Sequence, residues 1–202
     1  MTTPDTVEGL LPQAEAGDAN AQFALAKLYD LGPDQDGQSL DRAAAVTWYQ
    51  AAAAQGHAEA CFALGLLCNT GDGVARDDTA ARDWFGKAAE AGIADAQFNL
   101  GLMHYTGEGG EVGFEEAARW FGAAAEQGHP KAQFNLGVRY LSGEGLKQDE
   151  VAVVKWWTLA SMQGHPAATA NLDAARERLT ADQLRIVQEM TADWYSKLSK
   201  PF

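Results

Sequence analysis

Three of the four histidines, His57, His129 and His165, each follow a glycine, at positions separated by multiples of 36 residues. Recurring histidines raise the question of a metal site. A tetrahedral site holds every ligand about 2 Å from one ion. Equivalent points in stacked repeats lie roughly 10 Å apart, so the three rings do not converge. A loop or helix-entry role is expected for them, and His104, alone in its segment, reads as a packed ring. The triplets Gly71-Asp-Gly73, Gly107-Glu-Gly109 and Gly143-Glu-Gly145 resemble phosphate cradles, because paired glycines expose backbone N–H groups. Asp72, Glu108 and Glu144 set a carboxylate where the anion would go, which leaves turn chemistry as the reading. Cys61 and Cys68 are seven apart on one predicted helix, about 10 Å along its axis and too far for a disulfide. No basic residue near them in sequence lowers a thiol pKa. With so few histidines, a serine or cysteine triad is also hard to assemble. No catalytic residue, metal ligand or cofactor-binding residue is expected.

The spacing that disperses these residues defines the elements that carry them. Trp48, Trp84, Trp120 and Trp156 are each 36 apart, as are Gly56, Gly92, Gly128 and Gly164. In the series Leu25, Leu64, Leu100, Leu136 and Leu172 the first step is 39, which puts three extra residues within Gly32 to Leu40. A period of this size signals stacked supersecondary units. Within a unit, a first segment such as Ala96 to Tyr105 spaces its apolar residues three and four apart and predicts helix A. It ends in the Gly-acid-Gly turn, where glycine permits the left-handed backbone of a C-cap. Helix B opens at Asp41, Asp77 and Asp149, whose carboxylates can cap free N–H groups. It carries an aromatic pair (Trp48-Tyr49, Trp84-Phe85, Trp120-Phe121, Trp156-Trp157), then an alanine stripe at Ala52, Ala88, Ala124 and Ala160. Small residues there let helices approach to about 8–10 Å.

These residues resemble the Sel-1-like repeat, a relative of the tetratricopeptide repeat. Its pattern runs Ala-x-x-x-Leu-Gly-x-x-Tyr, a Gly-x-Gly turn, then Asp, Ala, Trp, Ala-Ala and Gly. Ala132-Gln-Phe-Asn-Leu-Gly137 and Gly143-Glu-Gly145 match it almost letter for letter, and the likeness covers most of residues 19 to 178. Departures are Ala26 for the helix A glycine, Cys68 and His104 at the Tyr position, and Gly113 for the capping Asp. The loop Gly109 to Gly113 is the least typical turn. The resemblance implies an all-α, right-handed superhelical solenoid of antiparallel two-helix repeats with helical caps. The expected segments form one repeat domain. A capping helix at 6–17 precedes repeats at 19–56, 57–92, 93–128 and 129–164; a partial repeat with a C-terminal capping helix spans 165–198, and a tail 199–202. Pro12 suits an early turn of the first helix better than its middle. Thr180 and Gln183 predict a capping box at the start of the last helix, whose face is Leu184, Val187, Thr191, Trp194 and Leu198.

The formal net charge is −13 and the pI about 4.6, which opposes nucleic acid or an anionic membrane surface as partner. Residues 1 to 100 hold fifteen acids and five bases, so the acidity lies in that half. The start has no basic or long apolar region of a secretory signal, and no run reaches the roughly 20 apolar residues of a membrane span. Cytoplasmic residence and a monomer are expected. Some relatives are described as β-lactamase-like, but no Ser-x-x-Lys occurs: Ser39, Ser142, Ser161, Ser196 and Ser199 all lack the lysine. The expected function is a non-catalytic scaffold or adaptor that holds a protein or peptide in a concave groove. A β-lactam-like small-molecule binder or hydrolase, or a self-assembling structural element, is the alternative. If helix A lines the groove, the residues facing it are Phe62, Leu66 and Asn69; Phe98, Leu102 and Tyr105; and Phe134, Val138 and Leu141. The three Phe could equally be buried between repeats. Arg176, Arg178, Arg185 and Lys197 form a basic patch at the C-terminal end, expected as a solvated face.

Overall fold

A 36-residue period has room for two helices of about three and a half turns and the links between them. The computed structural model describes residues 6–31 and 41–198, and among these it contains eleven α-helices and no strand. The insertion at Gly32 to Leu40 and the tail 199–202 lie outside the described residues. The helix A series is α2 (Ala19–Leu31), α4 (Ala58–Thr70), α6 (Ala94–Thr106), α8 (Pro130–Ser142) and the shorter α10 (Pro166–Arg176). The helix B series is α3 (Arg42–Ala54), α5 (Asp78–Glu90), α7 (Phe114–Glu126) and α9 (Glu150–Met162). Helices α1 (Val7–Glu15) and α11 (Ala181–Leu198) flank them.

Turn chemistry explains why each hairpin closes where it does. Gly71 and Gly143 end helix A in the left-handed region, at φ 75° and 77°. The next residue in helix B position, Asp77 or Asp149, donates its N–H to a helix A carbonyl, Cys68 O at 2.9 Å or Tyr140 O at 3.2 Å. Its carboxylate then accepts from the first helix B amides: Ala80 N to Asp77 at 2.9 Å, and Val151 N and Ala152 N to Asp149 at 2.9 and 3.1 Å. Gly113 keeps the same extended backbone, φ −140°, and donates to His104 O at 2.8 Å. The least typical turn therefore has the ordinary path and lacks only the side-chain cap bond. Pro12 lies inside α1, past its first turn, because Thr6 rather than a later residue caps that helix. The Thr180–Gln183 capping box forms, with Gln183 N donating to Thr180 Oγ1 at 3.3 Å and Thr180 N to Gln183 Oε1 at 2.9 Å.

Each hairpin is locked by one ring. Of the aromatic pair on helix B, the second member is the buried one: Tyr49, Phe85, Phe121 and Trp157 are at most 5% exposed. The ring of Phe85, Phe121 or Trp157 lies against Gly65, Gly101 or Gly137 of the paired helix A. A Cβ on those glycines would come within 2.6, 2.8 and 2.5 Å of ring atoms, closer than any packed contact tolerates. The first member stays half-buried at Trp48, Trp84 and Trp120, with Lys87 over Trp84 at 3.9 Å and Arg119 over Trp120 at 4.4 Å. Trp156 is buried because Trp194 of α11 shares its cluster. The alanine stripe is fully buried, with Ala52, Ala88, Ala124 and Ala160 at 0% exposure.

The chain divides into two units, Met1–Ala96 and Gln97–Phe202. In the first, α1 packs on α2, α2 on α3, α3 on α4 and α4 on α5. In the second, α7 packs on α8, α8 on α9, and both α10 and α11 on α9. An amide pair with one buried member recurs: the exposed Gln55, Gln127 and Gln163 donate to the buried Gln22, Gln97 and Gln133, all at 2.8 Å. Gln22 and Gln133 in turn donate to the carbonyls of Ala14 and Ala125 on the preceding helix. The second repeat has Cys61 and Ala91 at these two positions, so both amides are lost together and neither is orphaned.

Gly101→Ala is expected to cost about 1–3 kcal/mol by overpacking against Phe121, measured by urea denaturation, and Phe121→Leu in the same chain should recover part of the loss. Gln133→Ala should destabilise by about 1–3 kcal/mol, the net worth of the two hydrogen bonds it makes. The double variant Gln133→Cys, Gln163→Ala should lose less than the sum of its single changes, and strict additivity would refute the amide-pair account.

Candidate functional site

The histidines that suggested a metal are helix caps. His57, His129 and His165 precede α4, α8 and α10, and each Nδ1 accepts from the backbone N–H three residues on: Ala60 at 3.3 Å, Ala132 at 3.1 Å and Ala168 at 3.3 Å. Each imidazole also stacks on the phenyl ring of the preceding helix A, Phe23 at 4.4 Å, Phe98 at 4.7 Å and Phe134 at 4.6 Å between centroids. Among the described residues no group of three or more His, Cys, Asp or Glu side chains is placed to hold a metal ion. Burial, then the nearby Lys131 charge, push the His165 pKa below its ordinary 6.5. The Cys61 and Cys68 thiols are both pushed up, in each case chiefly by burial. Protonated thiols are poor nucleophiles at neutral pH.

The Gly-acid-Gly turns are filled rather than open. Gly73 sits against the Cβ of Arg42, and Gly145 against the backbone of Phe114, at the start of the preceding helix B. Asp72 is paired with Arg42 and Glu144 with Arg139 at 2.5 Å. Arg139 is 5% exposed, at a position that is Leu67 or Met103 in other repeats. Its guanidinium is held between Glu144 and the Tyr105 ring, 4.1 Å from the centroid.

The nine helix A residues expected to face a groove divide into three sets. Phe62 is half-buried beside Phe85, Leu66 is 40% exposed, and the Asn69 amide donates to Asp78 at 3.3 Å. Phe98 is half-buried between Phe121 and His129, and Leu102 and Tyr105 pack against the same cluster. Phe134, Val138 and Leu141 are half-buried and, with Trp157, form one wall of a pocket of about 360 Å³. The opposite wall is α10 and the turn after it, through Asn171, Ala174, Ala175 and Arg178. The three Phe rings thus have one face committed to the core, against a helix B ring.

Pocket-lining residues outside the expected set have a visible origin in the sequence. One period beyond Val138 and Arg139 stand Ala174 and Ala175, so the fifth helix A presents methyl groups to the pocket where the preceding ones carry branched or longer chains. The missing volume is the pocket. Trp157 holds its wall in place by donating Nε1 to Phe134 O at 3.2 Å. Three of the four residues of the basic patch are paired locally: Arg178 with Glu150, Arg185 with Glu189 at 3.0 Å, and Lys197 with Asp193 at 2.7 Å.

Two-helix hairpins repeated along the chain define a repeat-built, all-helical protein. The family model of the Sel1 repeat matches residues 19–57, 58–93, 94–129 and 130–165, and the chain belongs to that family, whose members typically mediate protein–protein interaction. Similar solved structures include a protective antigen of uropathogenic Escherichia coli strains displaying an SLR fold: 34% identity over 96% of this chain, TM-score 0.81. A Sel1 repeat protein from Oxalobacter formigenes is 32% identical over 83% of this chain, TM-score 0.75. The chain spans only 40% and 48% of the lengths of those two proteins. No curated protein matches. Among the described residues no helix is long and apolar enough to cross a membrane.

Because the lone pair of His165 Nδ1 caps α10, protonation removes the bond. The folded form takes up this proton less readily than the unfolded chain, so the stabilisation is complete above pH 6.5 and is lost as pH falls below it. An NMR titration should place the His165 midpoint below 6.5, and a midpoint at or above that value would refute the account.

Proposed function

We propose that this chain is a non-catalytic interaction module that holds a peptide or protein partner against its helix A faces. The observation that supports the reading most directly is the pocket walled by Phe134, Val138, Leu141 and Trp157, which is apolar, of a size with sites that accept a ligand (about 300–1,000 Å³), and borne on ring-locked helices. A scaffold fixed in this way loses little freedom on binding, so interaction energy is not spent on ordering it. Recognition of an apolar face by a helical groove is an established mode of peptide capture. The corresponding half-buried residues Phe62, Leu66 and Asn69, and Phe98, Leu102 and Tyr105, are assigned to the same role. The β-lactam-like alternative finds less support, since the thiols are protonated and three histidines are engaged as caps.

Affinity capture from the native lysate, with Leu141→Lys as control, tests the proposal. Proteins retained by the wild type should be lost from a variant with the same circular dichroism and an unfolding midpoint within about 1 kcal/mol of wild type, as expected of a half-exposed site. Retention of the same set by both forms would overturn the assignment of this groove.

A further inference from the structure

Of the residues that line the pocket, the only ionised one is Arg178, in a chain whose formal net charge is −13. Its guanidinium is paired with Glu150, and both side chains are about half exposed, at 56% and 42%. An exposed pair of this kind contributes little and exchanges readily. Glu150 thus stands in for a carboxylate that an occupant could supply. Asn171 lies on the same side of α10, seven residues earlier and roughly 10 Å along the axis at 1.5 Å per residue. Its carboxamide offers one donor group and one acceptor, the complement of a peptide unit. An extended peptide covers that distance with about three residues.

Resting on the groove reading above, we propose that the pocket takes an apolar side chain of a peptide bearing a carboxylate within about three residues of it. Arg178 exchanges Glu150 for that carboxylate, and Asn171 holds the intervening backbone. Guanidinium and carboxylate match in planar, two-pronged fashion, which makes Arg178 a selective reader of this group. The acidity of the whole chain disfavours runs of negative charge, so the partner carries a single acid beside its anchor in an otherwise neutral or basic segment.

The test is a displayed library of heptapeptides whose centre is either apolar (Leu, Ile, Met or Phe) or polar (Ser, Asn, Gln or Lys), with random flanks, panned on the full chain. Wild type should enrich sequences with one Asp or Glu within three positions of the centre. Arg178→Gln, shown by circular dichroism and urea midpoint to be folded, should lose that preference while still binding apolar centres. The best peptide should bind wild type about tenfold more tightly than its Asp→Asn form, a difference of 1.4 kcal/mol. Glu150→Gln should tighten it several-fold, a gain that structural damage cannot produce. Enrichment of apolar centres without acidic bias, or a bias that survives in Arg178→Gln, overturns the carboxylate inference and leaves the groove reading standing. No enrichment at all overturns both.

Discussion

The seat of a helix B ring on a helix A glycine is the contact from which the rest of the architecture follows. It brings a backbone and an aromatic face to van der Waals distance, and so fixes both the separation of the two helices and their rotation. Once Phe85, Phe121 and Trp157 are placed in this way, the alanines on the same faces have no room to be anything larger. The half-buried Trp84 and Trp120 then point outward, where Lys87 and Arg119 cover the rings. In the first repeat Ala26 replaces the glycine and Tyr49 the phenyl ring, and the tyrosine hydroxyl reaches Asp30 at 3.3 Å. The seat is varied there, and the hairpin remains.

Much of this was legible in the sequence because it is carried by residues with few roles. Glycine pairs with an acid between them announce turns, aspartate before an apolar run announces a cap, and Thr180 with Gln183 reads as a capping box before any coordinates are seen. The period itself fixed helix number and order within the four repeats. What was hidden is instructive. In Trp84-Phe85 or Trp120-Phe121 nothing local says which ring is buried, since adjacent residues on a helix differ by 100° and only the partner helix decides. The double use of the histidines as cap and stacking plate depends on a phenyl ring some thirty residues earlier. Pro12 stands inside the first helix against its preference for an early turn, because the cap at Thr6 sets where that helix begins.

The candidate site shows a different limit. Phe134, Val138 and Leu141 could be read from a periodic stripe, whereas the pocket beside them exists because Ala174 and Ala175 stand one period beyond Val138 and Arg139. A pattern search looks for what recurs, and a cavity between repeats is made by what stops recurring. Trp157 belongs to the site for yet another reason: it is a core ring whose indole edge reaches a helix A carbonyl and is exposed to the pocket only because α10 is slight.

The second repeat, with Cys61 and Ala91 where its neighbours carry paired glutamines, has a further consequence. Homologous hairpins in one chain, or in two chains, can in principle trade helices, since each helix A would find a similar helix B elsewhere. A traded pair that joined the buried Gln22, Gln97 or Gln133 to Ala91 would leave a buried amide oxygen without its donor, at about 1–3 kcal/mol. The amides therefore work as matching labels, and a fold assembled from near-identical parts keeps a record of which two helices were made for each other.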